Sequence, residues 1–149
     1  DEAQDNIVAM WVPDEPATAG AAFDFSYRLH WLADEPYPTP LARCVATRVG
    51  AGGRPGRARP RGVHKFVVEF RGAPLAQLGQ GARPQPVLWA SRGRFSDVIV
   101  EPADPGAPDH WRTLFDLIAD GPDPVEIRLS LKNGDSALTE AWLFQHHLA

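Results

Sequence analysis

The stretch VEIRLSLKNGDSALTEAWLFQHH, residues 125–147, decides how the chain is to be read. Val125, Ile127, Leu129 and Leu131 alternate with Glu126, Arg128 and Ser130, which is the period of a strand with one buried face. A second such run, LTEAWLFQHH (138–147), lies beyond KNGDSA, whose Asn133-Gly134 pair is a strong hairpin signal. The two runs predict an antiparallel hairpin.

The same period recurs on the N-terminal side. HKFVVEFRG (64–72) sets Phe66, Val68 and Phe70 on one face, and LARCVATRV (41–49) reads as another strand. VLWASRG (87–93), FSDVIVEP (95–102) and WRTLFDLI (111–118) are each bounded by Gly or Pro. NIVAMWVP (6–13) is a short apolar strand ended by Pro13. AFDFSYRLHW (22–31) points Phe23, Phe25, Tyr27, Leu29 and Trp31 one way and Asp24, Ser26, Arg28 and His30 the other. It is expected to be the spine of a sheet with a polar outer face. The only helical candidate is APLAQLGQ (73–80), a single turn. Short strands at regular spacing with turn chemistry between them predict an all-β fold. We expect an immunoglobulin-like antiparallel β-sandwich of E-set type with seven to nine strands, spanning 1–149 as one domain. The antibody-type Cys…Trp…Cys pattern is absent.

Composition narrows the function classes. The formal charge of −4 and pI of 5.7 exclude the basic footprint of a nucleic-acid binder. No run approaches the roughly 20 apolar residues of a membrane span. Fifteen prolines suit loops and sheet edges better than helices. Cys44 is alone, so no disulfide forms within the chain, and mid-strand it is expected to pack as a small hydrophobe. DEAQDNIVAMWVP has no initiator Met and no export-signal pattern and already enters a strand-like run, so the chain is expected to be a piece of a longer protein.

Chemistry-bearing patterns are sparse. His30, His64, His110, His146 and His147 show no metal-ligand spacing, and His146 and His147 are expected to point to opposite faces and fray into solvent. Ser91 and Ser96 lie near turns without a nucleophile elbow. GAGGRPG lacks the following helix that a phosphate loop needs. Glycoside hydrolysis needs two carboxylates roughly 5–10 Å apart, and Glu69, Asp116, Glu126 and Glu140 are the strand-borne acids to consider. Glu140 stands out because it shares a side with Leu138 and Trp142, with Arg128 as one candidate partner. Trp11, Trp31, Trp111 and Trp142 fall on apolar sides and read as core, whereas Trp89 is the candidate for exposure. The loop GAGGRPGRARPRG (50–62) holds four arginines. It reads as a solvated insertion or as an attraction for an anionic glycan, a lipid headgroup or a partner. No catalytic, cofactor-binding or metal-binding residue is assigned.

NIVAMWVP, FSYRLHW, ATRVG, HKFVVEFRG, WRTLFDL and VEIRLSLKNGDSALTEAWLFQ occur in an order that resembles the C-terminal portion of the osmoregulated periplasmic glucan biosynthesis proteins (the OpgG/OpgD, or MdoG/MdoD, family). The resemblance runs from about Asn6 to His146. It implies a periplasmic protein with an N-terminal glucan-binding or catalytic β-sandwich, absent here, and this chain as a non-catalytic immunoglobulin-like domain packed against it. Partners implied are that N-terminal domain, β-glucan and the membrane glucan-synthesis machinery, with no nucleic acid. The alternatives are an autonomous carbohydrate-binding module using Trp89, Tyr37 and the arginine loop, or a β-1,2-glucan hydrolase using Glu140 or Asp116.

Overall fold

The computed structural model describes residues 12, 14, 16–34, 37–53, 56–79 and 81–148. The strand expected at 6–13 lies outside the described residues, Val12 excepted. The chain separates into two compact units, Asp1–Pro36 and Tyr37–Ala149.

The second unit is a two-sheet antiparallel sandwich. Its strands are β1 (Arg43–Ala51), β2 (Val63–Arg71), β3 (Gln85–Ala90), β4 (Arg94–Pro102), β5 (His110–Ile118), β6 (Val125–Asn133), β7 (Ser136–Ala137) and β8 (Trp142–His146). One sheet has the order β1-β2-β5-β4, and in the other β6 lies between β3 and β8 and also carries β7. Relabelled A, B, C, D, E, F and G, with β7 as part of the F–G hairpin, these orders are A-B-E-D and C-F-G, the immunoglobulin arrangement. The expected fold class is therefore present, with eight strands among the described residues. The single helical turn is there too, α1 (Ala73–Ala76), with buried Leu75 as its anchor.

Alternation explains the core directly. β2 buries Phe66, Val68 and Phe70 against Phe115, Thr113 and Trp111 of β5, which are their register partners. β6 contributes Val125, Ile127, Leu129 and Leu131 from the facing sheet. Phe66 stacks on Phe115 at 5.1 Å between ring centroids and meets Trp142 edge-on at 6.2 Å, so aromatic contacts join the two sheets.

The structure differs from expectation in two elements. Residues 22–32 belong to the first unit and form no strand; Phe25, Tyr27 and Trp31 are 78%, 81% and 90% exposed. Alternation sorts side chains between two faces, but a strand also needs a hydrogen-bonding neighbour, and 22–32 joins no ladder among the described residues. Trp31 is accordingly not a core residue here. Of the run at 138–147 only Trp142–His146 forms a strand, β8. β7 ends at Ala137, and Ala42 pairs with Thr139 in an isolated parallel bridge before β8 begins. The hairpin turn itself is Gly134-Asp135, closed by Asn133 opposite Ser136, one residue later than the Asn133-Gly134 signal suggests.

Candidate functional site

The outer face of the second sheet offers the most organised surface of the sandwich. Register aligns Trp89 of β3, Arg128 of β6 and Leu143 of β8 in one row across three strands. The inward residues on either side of Arg128, Ile127 and Leu129, are buried, so strand alternation fixes this row outward. Trp89 is 49% exposed, Val87 45% and Leu143 64%. The Arg128 guanidinium lies over the Trp89 ring, 5.4 Å from its centroid, a cation–π geometry. Beside them Val87, Trp89, Arg128, Leu129, Ser130 and Ala141 line an open recess of 280 Å³. Such a surface suits apolar packing or the face of a sugar ring; it presents no paired acid and base.

The four acids considered for hydrolysis each have a structural partner. Glu69 sits beside Arg48 and 3.0 Å from His110 Nε2. Burial alone would raise its pKa, but the hydrogen bonds from Arg48 and His110 and their charges outweigh this and hold it below the ordinary glutamate value. Asp116, 1% exposed, pairs with Lys65 at 2.6 Å and accepts the Gly53 N–H at 3.1 Å. Glu126 accepts from Gln145 Nε2 at 2.6 Å. Glu140 does not meet Arg128, the partner expected for it; its Oε1 accepts the Cys44 backbone N–H at 2.8 Å. The reason is topological: the break after β7 turns Glu140 toward β1, while Arg128 lies on the outer face over Trp89. Glu69 is the register partner of Arg112, four residues from Asp116 along β5. Glu69 and Asp116 thus lie four register positions apart on neighbouring strands, about 13 Å along the strands at ~3.3 Å per residue.

Comparison with known proteins agrees with the family suggested by the ordered stretches. The sequence profile described as "Periplasmic glucan biosynthesis protein, MdoG" matches residues 1–146. The chain belongs to the MdoG family. It is similar to Glucans biosynthesis protein D 2 of Ralstonia nicotianae, 59% identical over 147 residues, which are 99% of this chain and 27% of that protein. It is 44% identical to Glucans biosynthesis protein D 1 of the same organism over 97% of this chain, and 40% identical to Glucans biosynthesis protein D of Stenotrophomonas maltophilia over 98%. In both cases the match again covers 27% of the relative. The chain thus spans about a quarter of the length of these MdoG-family relatives.

Within this MdoG-family sandwich the remaining candidates have structural surroundings. Trp111 and Trp142 are core residues, 8% and 7% exposed, while Trp11 lies outside the described residues. The Cys44 side chain packs against the core; burial raises its pKa, opposed in part by contacts with Thr47 and the Ala46 carbonyl. His146 and His147 do face opposite ways, but only His147 is exposed. His146 turns inward against His64, with ring centroids 4.5 Å apart, and against Phe66 at 5.2 Å. Burial first, then the His64 and His147 charges, push its pKa below the ordinary histidine value. The inward phase of β8, with Trp142 and Phe144 two and four residues earlier, is the sequence signal that places His146. Among the described residues no group of three or more His, Cys, Asp or Glu is placed to hold a metal, and no helix is long and apolar enough to cross a membrane.

Proposed function

We propose that this chain is the non-catalytic C-terminal part of a periplasmic protein of glucan biosynthesis, and that its sandwich packs against the glucan-handling N-terminal part. The observation that carries this reading is the Trp89–Arg128–Leu143 row. A rigid sheet face exposes three apolar side chains, Val87, Trp89 and Leu143, on a chain whose relatives are nearly four times longer. Rows of this kind are contact surfaces when a partner of matching shape exists. Glu69, Asp116, Glu126 and Glu140 each have a partner within the sandwich, which supports the non-catalytic role. Through the whole protein, the partners are β-glucan and the membrane machinery that makes it.

The test is acrylamide quenching of Trp89 fluorescence in an otherwise Trp→Phe full-length background. Packing predicts a quenching constant several-fold lower in the full-length protein than in this chain. Equal quenching in the two would remove the reading. Incubation of this chain with linear β-1,2-glucan is expected to release no sugar; turnover lost in E140Q would establish a hydrolase instead.

The half-exposed Trp89 favours one further reading, a carbohydrate-binding module in its own right. Glucan titration of this chain separates the two, since a module binds at millimolar concentration or below and loses binding in W89A.

A further inference from the structure

We propose that the recess between the end of β1, the start of β2 and the described loop residues 52–53 and 56–62 is a binding site for a phosphate-type oxyanion, held by Arg57 and Arg59. Gly52, Gly53, Gly56, Arg57, Arg59 and Lys65 line its 260 Å³. At Gly53 the backbone takes φ 101°, and a Cβ there would lie 2.8 Å from Pro60 Cδ, so the chain closes back on itself where only glycine fits. The Gly53 N–H donates to Asp116 Oδ2 at 3.1 Å, and the Gly52 N–H donates to the Val63 carbonyl at 2.8 Å. Asp116 is 1% exposed, so the loop is fastened to the interior of the sheet. Arg59 Nη1 reaches the Ala51 carbonyl at 3.4 Å, which tethers that side chain at the rim and leaves its other donors open.

Charge then selects the ligand. Lys65 is neutralised by Asp116 at 2.6 Å. Among the described residues Arg57 and Arg59 form no ion pair with a carboxylate. Two positive charges therefore remain at one recess, on a chain whose formal charge is −4. A guanidinium fork matches the geometry of a phosphate, and a phosphate has oxygens enough to accept from more than one such fork. A single carboxylate would leave one of the charges unanswered. The recess admits a phosphate group and leaves whatever carries it in solvent. A phosphorylated saccharide and a phospholipid headgroup share this chemistry. Because both arginines are exposed, binding weakens steeply with salt. This inference stands apart from the docking role of the Trp89 face.

The experiment is calorimetric titration of the full-length protein with inorganic phosphate at low ionic strength. Saturable one-site binding is expected, weakened at least ten-fold in the R57S/R59S double variant, weakened less in R57K/R59K, which keeps the charges but loses the forks, and unchanged in R83S. Both positions are exposed, and an unchanged thermal melting temperature confirms that the variants fold. Displacement of phosphate by glucose 6-phosphate assigns the site to a phosphorylated saccharide. Arginine-dependent sedimentation with phosphatidylglycerol vesicles, and not with phosphatidylcholine vesicles, assigns it to a lipid headgroup. Heats that never saturate, or binding that survives intact in R57S/R59S, overturn the proposal.

Discussion

Glu140 invites a catalytic reading in the sequence, because a carboxylate between Leu138 and Trp142 demands a partner. The structure supplies a backbone one. Its Oε1 accepts from the Cys44 N–H at 2.8 Å, beside backbone hydrogen bonds from Ala42 N to Leu138 O at 2.9 Å and from Glu140 N to Ala42 O at 3.0 Å. These three bonds tie the edge strand β1 to the β7–β8 connection and so link the two sheets. Removing the side chain strands the Cys44 donor in a half-buried place. Glu140→Ala is expected to lower unfolding stability by about 1–3 kcal/mol, and Glu140→Gln, which keeps an acceptor oxygen, by less; urea denaturation measures both. Glu69 gives the pH counterpart. Its folded pKa is below the ordinary value, despite burial, because Arg48 and His110 bond the ionised form. The unfolded state thus takes up the proton first. The stability that Glu69 contributes is present above its unfolded pKa of about 4.3 and is lost as pH falls through the lower folded value. Glu69→Gln should therefore be less stable than the native chain at pH 7, with the gap in urea midpoint closing at pH 3.

At the scale of elements, two glycine turns differ in a measurable way. Gly134 has φ 57° at the β6–β7 hairpin, with open space where a Cβ would lie. Gly93 has φ 82° between β3 and β4, and a Cβ there would lie 2.7 Å from the Ile118 carbonyl and 2.9 Å from Ala119 Cβ. Gly134→Ala carries only the left-handed strain, roughly 1–2 kcal/mol. Gly93→Ala adds a backbone clash and is expected to lower the thermal melting temperature by clearly more, as parallel melts of the two variants would show. The contrast explains what was legible in the sequence. Alternation is local, so β2, β5 and β6 stand where their apolar periods lie, and Phe66, Val68 and Phe70 are buried as their spacing requires, whereas β1 and β4 carry register shifts between Cys44 and Ala46 and between Ser96 and Ile99. The split between β7 and β8 is not local. It depends on Ala42, almost a hundred residues away, and on Thr139 Oγ1, which accepts the Leu131 N–H at 2.9 Å. Arg128 was legible as facing outward, but its Trp89 partner follows from the β3–β6 register, which no spacing within either strand reveals. The arginine loop reads as uniform solvated charge until Asp116 is seen to fasten Gly53.

On the scale of the whole molecule, the sandwich completes its own core while the 22–32 stretch does not bury its apolar side. Phe23, Phe25, Tyr27, Leu29 and Trp31 are 42–90% exposed although they share one phase of a two-residue period. Phe23 and Phe25 do meet, with ring centroids 6.3 Å apart, which shelters little of either ring. Five large apolar residues in one phase are costly to leave in water, at about 25 cal/mol for each Å² of apolar surface. A period so regular makes physical sense when a sheet receives it. The relatives extend well beyond the matched region, and in a full-length protein of their length there would be ample chain to supply that sheet. Hydrogen exchange of the full-length protein should then show amides of 23–32 slowed at least ten-fold relative to this chain, with amides of β2, β5 and β6 unchanged. Phe25→Asp and Trp31→Asp should lower the melting temperature of the full-length protein. Equal exchange at 23–32 in both forms would mean that the alternation serves an exposed segment in the whole protein as well, and the stretch would lose its claim to a sheet.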